Sequence, residues 1–185
     1  GDLAHVDPSS FFGLSAPITG MAGDQQAALF GQTGFDVGNS KCTYGTGAFI
    51  LTNTGEDIVI SNHGLLATVA WQSPGGEMTY ASEGSVFIAG AAVQWLRDQL
   101  GIIEKSSDVE SLAMRSGSSD GVTFVPALTG LGAPFWNSEI RGSLLGLTRG
   151  SSRSNIAYAT LEAIAFQVNA VISAMVQDSA KPVQQ

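Results

Sequence analysis

The sequence has 185 residues, a length that suits one domain better than two. Charged residues make up 13% of the chain, about half of the ~25% usual in soluble proteins, and the 23 glycines follow no G-X-Y period, which excludes a collagen-like protein. The net charge of −8 opposes binding to phosphate backbones, so we expect no nucleic-acid partner.

The first half of the chain predicts a lead-in, one strand, one helix and two hairpins. Residues 1–16 indicate an irregular lead-in, and residues 17–22 a first strand that ends at Gly23 and Asp24. Good helix-forming residues predict a helix over residues 25–31. Glycine-rich turns flanked by β-branched and aromatic residues then predict paired strands at residues 40–46 and 48–53, and at residues 65–71 and 77–82.

The second half predicts three helices and two short strands. Apolar residues at helical spacing predict a helix over residues 84–100 that ends at Gly101. The remaining predictions are a helix at residues 106–114, a strand at 122–126, an ordered loop at 129–134, a strand at 142–146 and a final long helix capped by Ser151 or Ser154. This order indicates an α/β domain, a mixed sheet with flanking helices. We expect the domain to be incomplete in this chain.

Cysteine content and hydropathy indicate where the protein resides. Cys42 is the only cysteine, which excludes an intrachain disulfide and favours a reducing compartment. The apolar stretch over residues 155–176 is interrupted by Glu162, Gln167 and Asn169, a pattern typical of a core helix rather than a membrane span. With no signal-peptide pattern at the start, we expect a cytoplasmic protein.

Asp24 is the first candidate for chemistry. It stands among small and apolar residues at the predicted strand end, where ligands of α/β sheets tend to bind. A carboxylate there can accept a proton from a hydroxyl group or hold hydrated Mg²⁺ through water, with no direct protein-metal bond. Capping of the following helix is an equally good explanation. The adjacent Gln25 is either a hydrogen-bond partner for a polyol or an exposed residue of the helix start.

Glycine-framed Thr46 is the second candidate. Gly45 and Gly47 would allow the backbone to approach an anion closely, which suits a terminal phosphoryl group, although such glycine pairs are commonly just turns. Gly90 and Gln94, one helical turn apart, form a third candidate surface. Packing against another helix is the commoner use of a glycine inside a helix.

Five stretches carry a resemblance to a known family. They are GMAGDQQAALFGQ (20–32), TYGTGAFILTNTG (43–55), EGSVFIAGAAVQWLRD (83–98), VPALTGLGAPFWNSEIRG (125–142) and GSLLGLTRGSSRSNIAYATLEAIAFQ (142–167). The chain resembles the FGGY carbohydrate kinase family, and the last stretch fits that family's second signature at every required position. The Asp-Gln pair at residues 24–25 is similar to the family's glycerol kinases more than to its xylulose or gluconate kinases.

The resemblance implies an actin-like, ribonuclease H-like fold in which ATP and a polyol meet between two domains. It further implies a role for each matching residue: Asp24 as catalytic base, Gln25 and Phe49 as glycerol contacts, Gly45 and Thr46 as the γ-phosphate loop, and Gly90 and Gln94 as nucleotide contacts. Residues 17–185 would form the first part of the family's C-terminal domain. The implied reaction is phosphorylation of glycerol to glycerol 3-phosphate with ATP and Mg²⁺.

The family's N-terminal domain and the later part of its C-terminal domain have no counterpart in this sequence. Because they supply the rest of the cleft, the resemblance implies that this chain alone is inactive and that a longer chain, expected to be a homo-oligomer, carries the activity. Two alternatives stay open: a kinase of another polyol or sugar, such as erythritol or a ketose, and a non-catalytic actin-like module that binds nucleotide.

Overall fold

The computed structural model describes residues 4–73 and 75–179. The elements in chain order are β1 (Ala4–His5), β2 (Pro17–Ile18), α1 (Asp24–Gly31), β3 (Ser40–Tyr44), β4 (Ala48–Gly55), β5 (Leu66–Gln72), β6 (Met78–Val86), α2 (Gly90–Asp98), α3 (Asp108–Ala113), β7 (Thr123–Val125), β8 (Ser143–Leu145) and α4 (Arg153–Asp178).

A four-stranded sheet in the order β3-β4-β6-β5 forms the centre of the structure, and all its neighbouring strands are antiparallel. Because side chains alternate between the faces of a strand, β4 serves two layers. Ile50 faces α4 and packs with Val171 and Met175. Leu51 faces α1 and packs with Leu29. The sheet therefore lies between α1 on one face and α4 on the other.

The N-terminal half of α4 joins the sheet to a second helical layer. Ala157 packs with Leu96 of α2 and Leu112 of α3, while Ala159 packs with Phe124 of β7. The 26-residue helix α4 thus contacts both parts of the domain and fixes α2 relative to the sheet.

α4 meets the length and composition of a membrane-crossing helix. Its buried residues pack against the sheet and against α2, α3 and β7. This packing supports the interpretation of the segment as a core helix.

The lead-in and the first strand differ from the prediction. Residues 4–5 form β1, so the lead-in is not wholly irregular, and only Pro17–Ile18 of the predicted first strand is extended, paired with β1. Neither strand belongs to the four-stranded sheet. Gly20 and Ala22 offer little side-chain surface to pack on a sheet, which explains why the strand ends early.

The predicted start of the second helix at Gly84 is wrong. Strand β6 continues to Val86, and α2 begins at Gly90. The buried Val86 fits a period of two as well as a helical period, so hydropathy could not separate the two structures. Gly84 faces α4 so closely that an added Cβ would lie 2.3 Å from Val171 Cγ1.

The cap of α4 is Ser152 rather than Ser151 or Ser154. Ser152 Oγ accepts a hydrogen bond from the Asn155 backbone, and Asn155 Oδ1 accepts one from the Ser152 N–H at 2.9 Å, which together form a capping box. Ser151 Oγ instead accepts a bond from Thr148 N, and Ser154 lies buried inside the helix.

We predict that Ser152→Ala lowers the free energy of unfolding by about 1 kcal/mol, because the variant loses the side-chain half of the capping box. Equilibrium unfolding in urea measures the change. Ser107→Ala is the matched control, since Ser107 occupies the N-cap position of α3 without a side-chain cap bond. Equal losses in the two variants would contradict the prediction.

We predict that Gly47→Ala destabilises the fold by about 3 kcal/mol, because the added Cβ would lie 2.4 Å from the backbone oxygen of Val86. Backbone atoms cannot rotate away as a flexible side chain can. Gly31→Ala, which meets no atom within 4 Å, is the control. Urea unfolding should show a loss for Gly47→Ala alone, and a stable Gly47→Ala variant would refute the close contact.

Candidate active site

Asp24 is the first residue of α1, with its side chain exposed. One carboxylate oxygen accepts a hydrogen bond from the backbone N–H of Gln25 at 2.9 Å, and the other accepts one from Gln25 Nε2 at 3.2 Å. The N-cap position belongs to Gly23, which makes no side-chain cap bond. Asp24 therefore does not occupy the cap position, and its carboxylate is accessible at the start of the helix.

Lys41 connects α1 to the sheet. Its ammonium donates to Gln25 Oε1, to Thr43 Oγ1 at 3.0 Å and to the backbone oxygen of Phe49 at 3.3 Å. The side chain is almost wholly buried on the sheet face that α1 covers. These three bonds, together with those from Gln25 to Asp24, bring Asp24, Gln25 and the Phe49 backbone into one cluster.

The cluster contains the positive charge of Lys41 and lies close to two carboxylates, those of Asp24 and Glu83. Glu83 lies across β4 from Lys41 on the same face, because both residues pair with Leu51. Burial lowers the pKa of the Lys41 ammonium, and the negative charges of Glu83 and Asp24 act against that shift. Burial raises the pKa of the Glu83 carboxyl, and the charge of Lys41 opposes the rise. The cluster is an electrostatically coupled unit beneath Asp24.

The tip of the β3–β4 hairpin rests on the start of α2. The backbone N–H groups of Ala89 and Ala91 donate to Thr46 O at 2.9 and 3.0 Å, and that of Gly90 donates to Gly45 O at 2.9 Å. An added Cβ at Gly90 would lie 2.5 Å from Gly45 O. Gly90 therefore permits this close backbone approach, and these three amides are already engaged by the tip.

The outer side of the tip is open. Thr46 is exposed, and an added Cβ at Gly45 would find only Gly47 O, at 4.0 Å. Packing thus accounts for the glycines at positions 47 and 90 but not for Gly45. A shallow depression of about 430 Å³ beside the tip is lined by Tyr44, Gly45, Gly90, Leu161, Ile164 and Ala165.

The structure brings the predicted residues together in two groups. Asp24, Gln25 and the Phe49 backbone meet around Lys41, and Gly45, Thr46 and Gly90 meet where the tip contacts α2. Thr43 connects the groups, because it bonds Lys41 and precedes Thr46 by three residues, a reach of at most ~11 Å. Gln94 lies exposed one turn after Gly90 and makes no side-chain hydrogen bond among the described residues.

Sequence reasoning missed Lys41 and Glu83. Lysine and glutamate are almost never fully buried, so a charged residue inside a strand is ordinarily taken as solvent-facing. The available signal was the alternation of side chains along a strand. Residues two apart share a face, so Lys41 lies on the same face of β3 as Thr43, which pairs with Phe49 on β4.

The family model for the FGGY family of carbohydrate kinases, C-terminal domain, matches residues 40–185. The glycerol kinase of Bdellovibrio bacteriovorus is 59% identical over 180 residues, which is 97% of this chain and 36% of that protein. The glycerol kinase of a Geobacillus species is 55% identical over 95% of this chain and 35% of its own length. The chain thus spans about a third of the length of the curated relatives it matches.

Solved structures show the same fold. Plasmodium falciparum glycerol kinase with ADP superimposes with a TM-score of 0.81 and 44% identity, over 89% of this chain and 33% of that chain. Ligand-bound xylulose kinase from Lactobacillus acidophilus gives a TM-score of 0.74 at 24% identity, over 92% of this chain and 34% of that chain, which speaks for the fold alone. These likenesses confirm the α/β, actin-like fold class. By the match to the family model and these relatives, the chain belongs to the FGGY family of carbohydrate kinases.

Proposed function

We propose that this chain is part of a longer kinase that transfers the terminal phosphoryl group of ATP to glycerol and forms glycerol 3-phosphate. The relatives named as glycerol kinases supply the substrate by analogy. One observation carries the proposal for this chain: the exposed Asp24 carboxylate stands beside the Gln25 amide, so a proton acceptor and a hydrogen-bond donor are presented together.

In the proposed reaction Asp24 accepts the proton of a primary hydroxyl group as that oxygen attacks the terminal phosphorus of ATP. The bond between phosphorus and the bridging oxygen of ATP breaks, and ADP leaves with the electron pair. Gln25 donates a hydrogen bond to the polyol. Phe49, half-buried on the sheet face that α1 covers, contacts the carbon atoms of the polyol. Asp24 thus activates the nucleophile, and its two neighbours hold it in place.

Gly45 and Thr46 hold the γ-phosphate in this proposal, and Gly90 and Gln94 contact the rest of the nucleotide. The open space at Gly45 supports this assignment, because packing within the described residues does not require a glycine there. When Mg²⁺ is bound to the phosphates it neutralises their charge. In this proposal Asp24 contacts the ion through water, with no direct bond to the metal.

The remaining assignments belong to the same proposal. Residues 17–185 form the first part of the C-terminal domain, and an N-terminal domain absent from this chain completes the cleft. Catalysis of phosphoryl transfer depends on positioning from both sides of the site, so the chain alone should be inactive. A cytoplasmic location and a homo-oligomeric state are further predictions for the longer protein.

Steady-state kinetics of the longer protein with a panel of polyols tests the proposed substrate. We expect the highest kcat/KM with glycerol, because a wrong polyol leaves buried hydrogen-bond partners unpaired. A preference for erythritol or a ketose would contradict glycerol as the substrate but would still support a kinase. Slow ATP hydrolysis that no polyol stimulates would replace the proposal with a non-catalytic nucleotide-binding module.

We predict that Asp24→Asn in the longer protein lowers kcat on the order of 10²-fold or more, because an amide cannot accept the hydroxyl proton. Coupled measurement of ADP formation at saturating glycerol gives the value. Asp36→Asn, in the exposed loop after α1, is the matched control and should keep wild-type kcat. Near wild-type kcat for Asp24→Asn would remove the assigned base.

We predict that Gly45→Ala lowers kcat/KM for ATP about tenfold or more while leaving the thermal unfolding midpoint unchanged. The added methyl group has room within the fold but displaces the phosphate from the backbone. Kinetics with varied Mg·ATP and a thermal unfolding scan measure the two effects. A normal kcat/KM for ATP in Gly45→Ala would show that this turn does not bind the phosphate.

A further inference from the structure

Lys41 is a buried cation without an ion-pair partner among the described residues. The residue is 3% exposed, and the ion pairs in the described part of the chain join His63 to Asp178 and Arg97 to Asp98. A buried charge is costly unless polar groups replace its lost hydration. The groups that replace the hydration of Lys41 therefore decide what its burial does.

The hydrogen-bonding capacity of Lys41 is already used. An ammonium has three N–H donors, and here they are directed to Gln25 Oε1, Thr43 Oγ1 and Phe49 O. No donor is left for a substrate or a phosphate. Any effect of Lys41 on the reaction must therefore pass through one of these three partners.

Of the three partners, Gln25 is the one whose side-chain amide is oriented by its bond to Lys41. The two ends of a side-chain amide are similar in shape, so the amide can be turned either way round. An ammonium donates and never accepts, which requires Gln25 Oε1 to face Lys41. Gln25 Nε2 is then turned towards Asp24, where it donates at 3.2 Å.

We propose that Lys41 is a positioning residue that fixes the Gln25 amide with its NH₂ group towards Asp24, so that a polyol hydroxyl meets a donor and an acceptor together. A hydroxyl group both donates and accepts hydrogen bonds. With the amide reversed, the same hydroxyl would face two acceptors, the carboxylate and the amide oxygen, and could satisfy only one of them. Lys41 therefore selects hydroxyl-bearing substrates from a distance.

The surrounding charges support this assignment. Asp24 and Glu83 both interact with Lys41 electrostatically and favour its charged form, the ammonium that donates and never accepts. A neutral residue at position 41 would leave Gln25 free to turn. This effect acts on polyol binding rather than on the nucleotide.

A double-mutant cycle in the longer protein tests the inference, which rests on the proposed function. We expect Lys41→Met to raise KM for glycerol about tenfold, with KM for ATP unchanged. Gln25→Ala should raise KM for glycerol to a similar extent. The double variant should be no worse than Gln25→Ala, because Lys41 acts through Gln25. Lys105→Met, which alters an exposed lysine, is the matched control and should behave as wild type.

The outcomes separate the two proposals. A wild-type protein that forms no ADP in response to glycerol would end the proposed function, whereas an active wild type with additive Lys41→Met and Gln25→Ala effects would overturn the role of Lys41. An unchanged KM for glycerol in Lys41→Met would overturn it as well. If Lys41→Met does not fold, Thr43→Val, which removes one anchor of the ammonium, replaces it in the same cycle with the same criteria.

Discussion

The contact between the β3–β4 hairpin tip and the start of α2 sets the geometry on which the candidate site depends. Backbone carbonyl groups of Gly45 and Thr46 accept hydrogen bonds from the first amides of α2, and Gly90 leaves room for the approach. The contact is made by backbone atoms, so its geometry does not vary with side-chain rotamers. α4 in turn packs on both the sheet and α2, which fixes the tip relative to the rest of the domain.

This arrangement separates two uses of glycine that look alike in the sequence. Gly47 and Gly90 permit close backbone contacts inside the protein, since an added Cβ at either would collide with a carbonyl oxygen. Gly45 meets open space, so packing among the described residues does not explain why a glycine stands there. The sequence GTG alone could not distinguish these cases, because the partners of Gly47 and Gly90 come from β6 and from the tip itself.

Local signals predicted much of the fold but not its long-range contacts. Turn glycines and β-branched residues placed the β3–β4 hairpin within two residues of its observed bounds, and the long apolar stretch over residues 155–176 located α4. The boundary between β6 and α2 was missed because Gly84 and Val86 face α4, a contact far away in the sequence. The α4 cap was misplaced among three serines near the helix start, since only the bond to Asn155 distinguishes Ser152.

The residues of the candidate site also differ in how far the sequence alone could identify them. Asp24 and Thr46 could be singled out because a carboxylate at a glycine corner and a threonine between glycines have chemical meaning by themselves. Lys41 could not, because its importance depends on burial against α1, and burial of a lysine runs against the usual behaviour of that residue. Sequence patterns thus identify groups that could touch a substrate more readily than groups that orient them.

Under the proposed function, the use of all three Lys41 donors within the fold also limits the contacts that this chain can make with a phosphoryl group. The transition state carries negative charge that must be neutralised, and this chain has a net charge of −8. Lys41 is the cation that contacts the site among the described residues, and its donors are taken up by Gln25, Thr43 and Phe49. In the proposed reaction this chain would therefore supply a base and a backbone loop, with the further contacts that neutralise the phosphoryl charge coming from Mg²⁺ and from residues outside this segment.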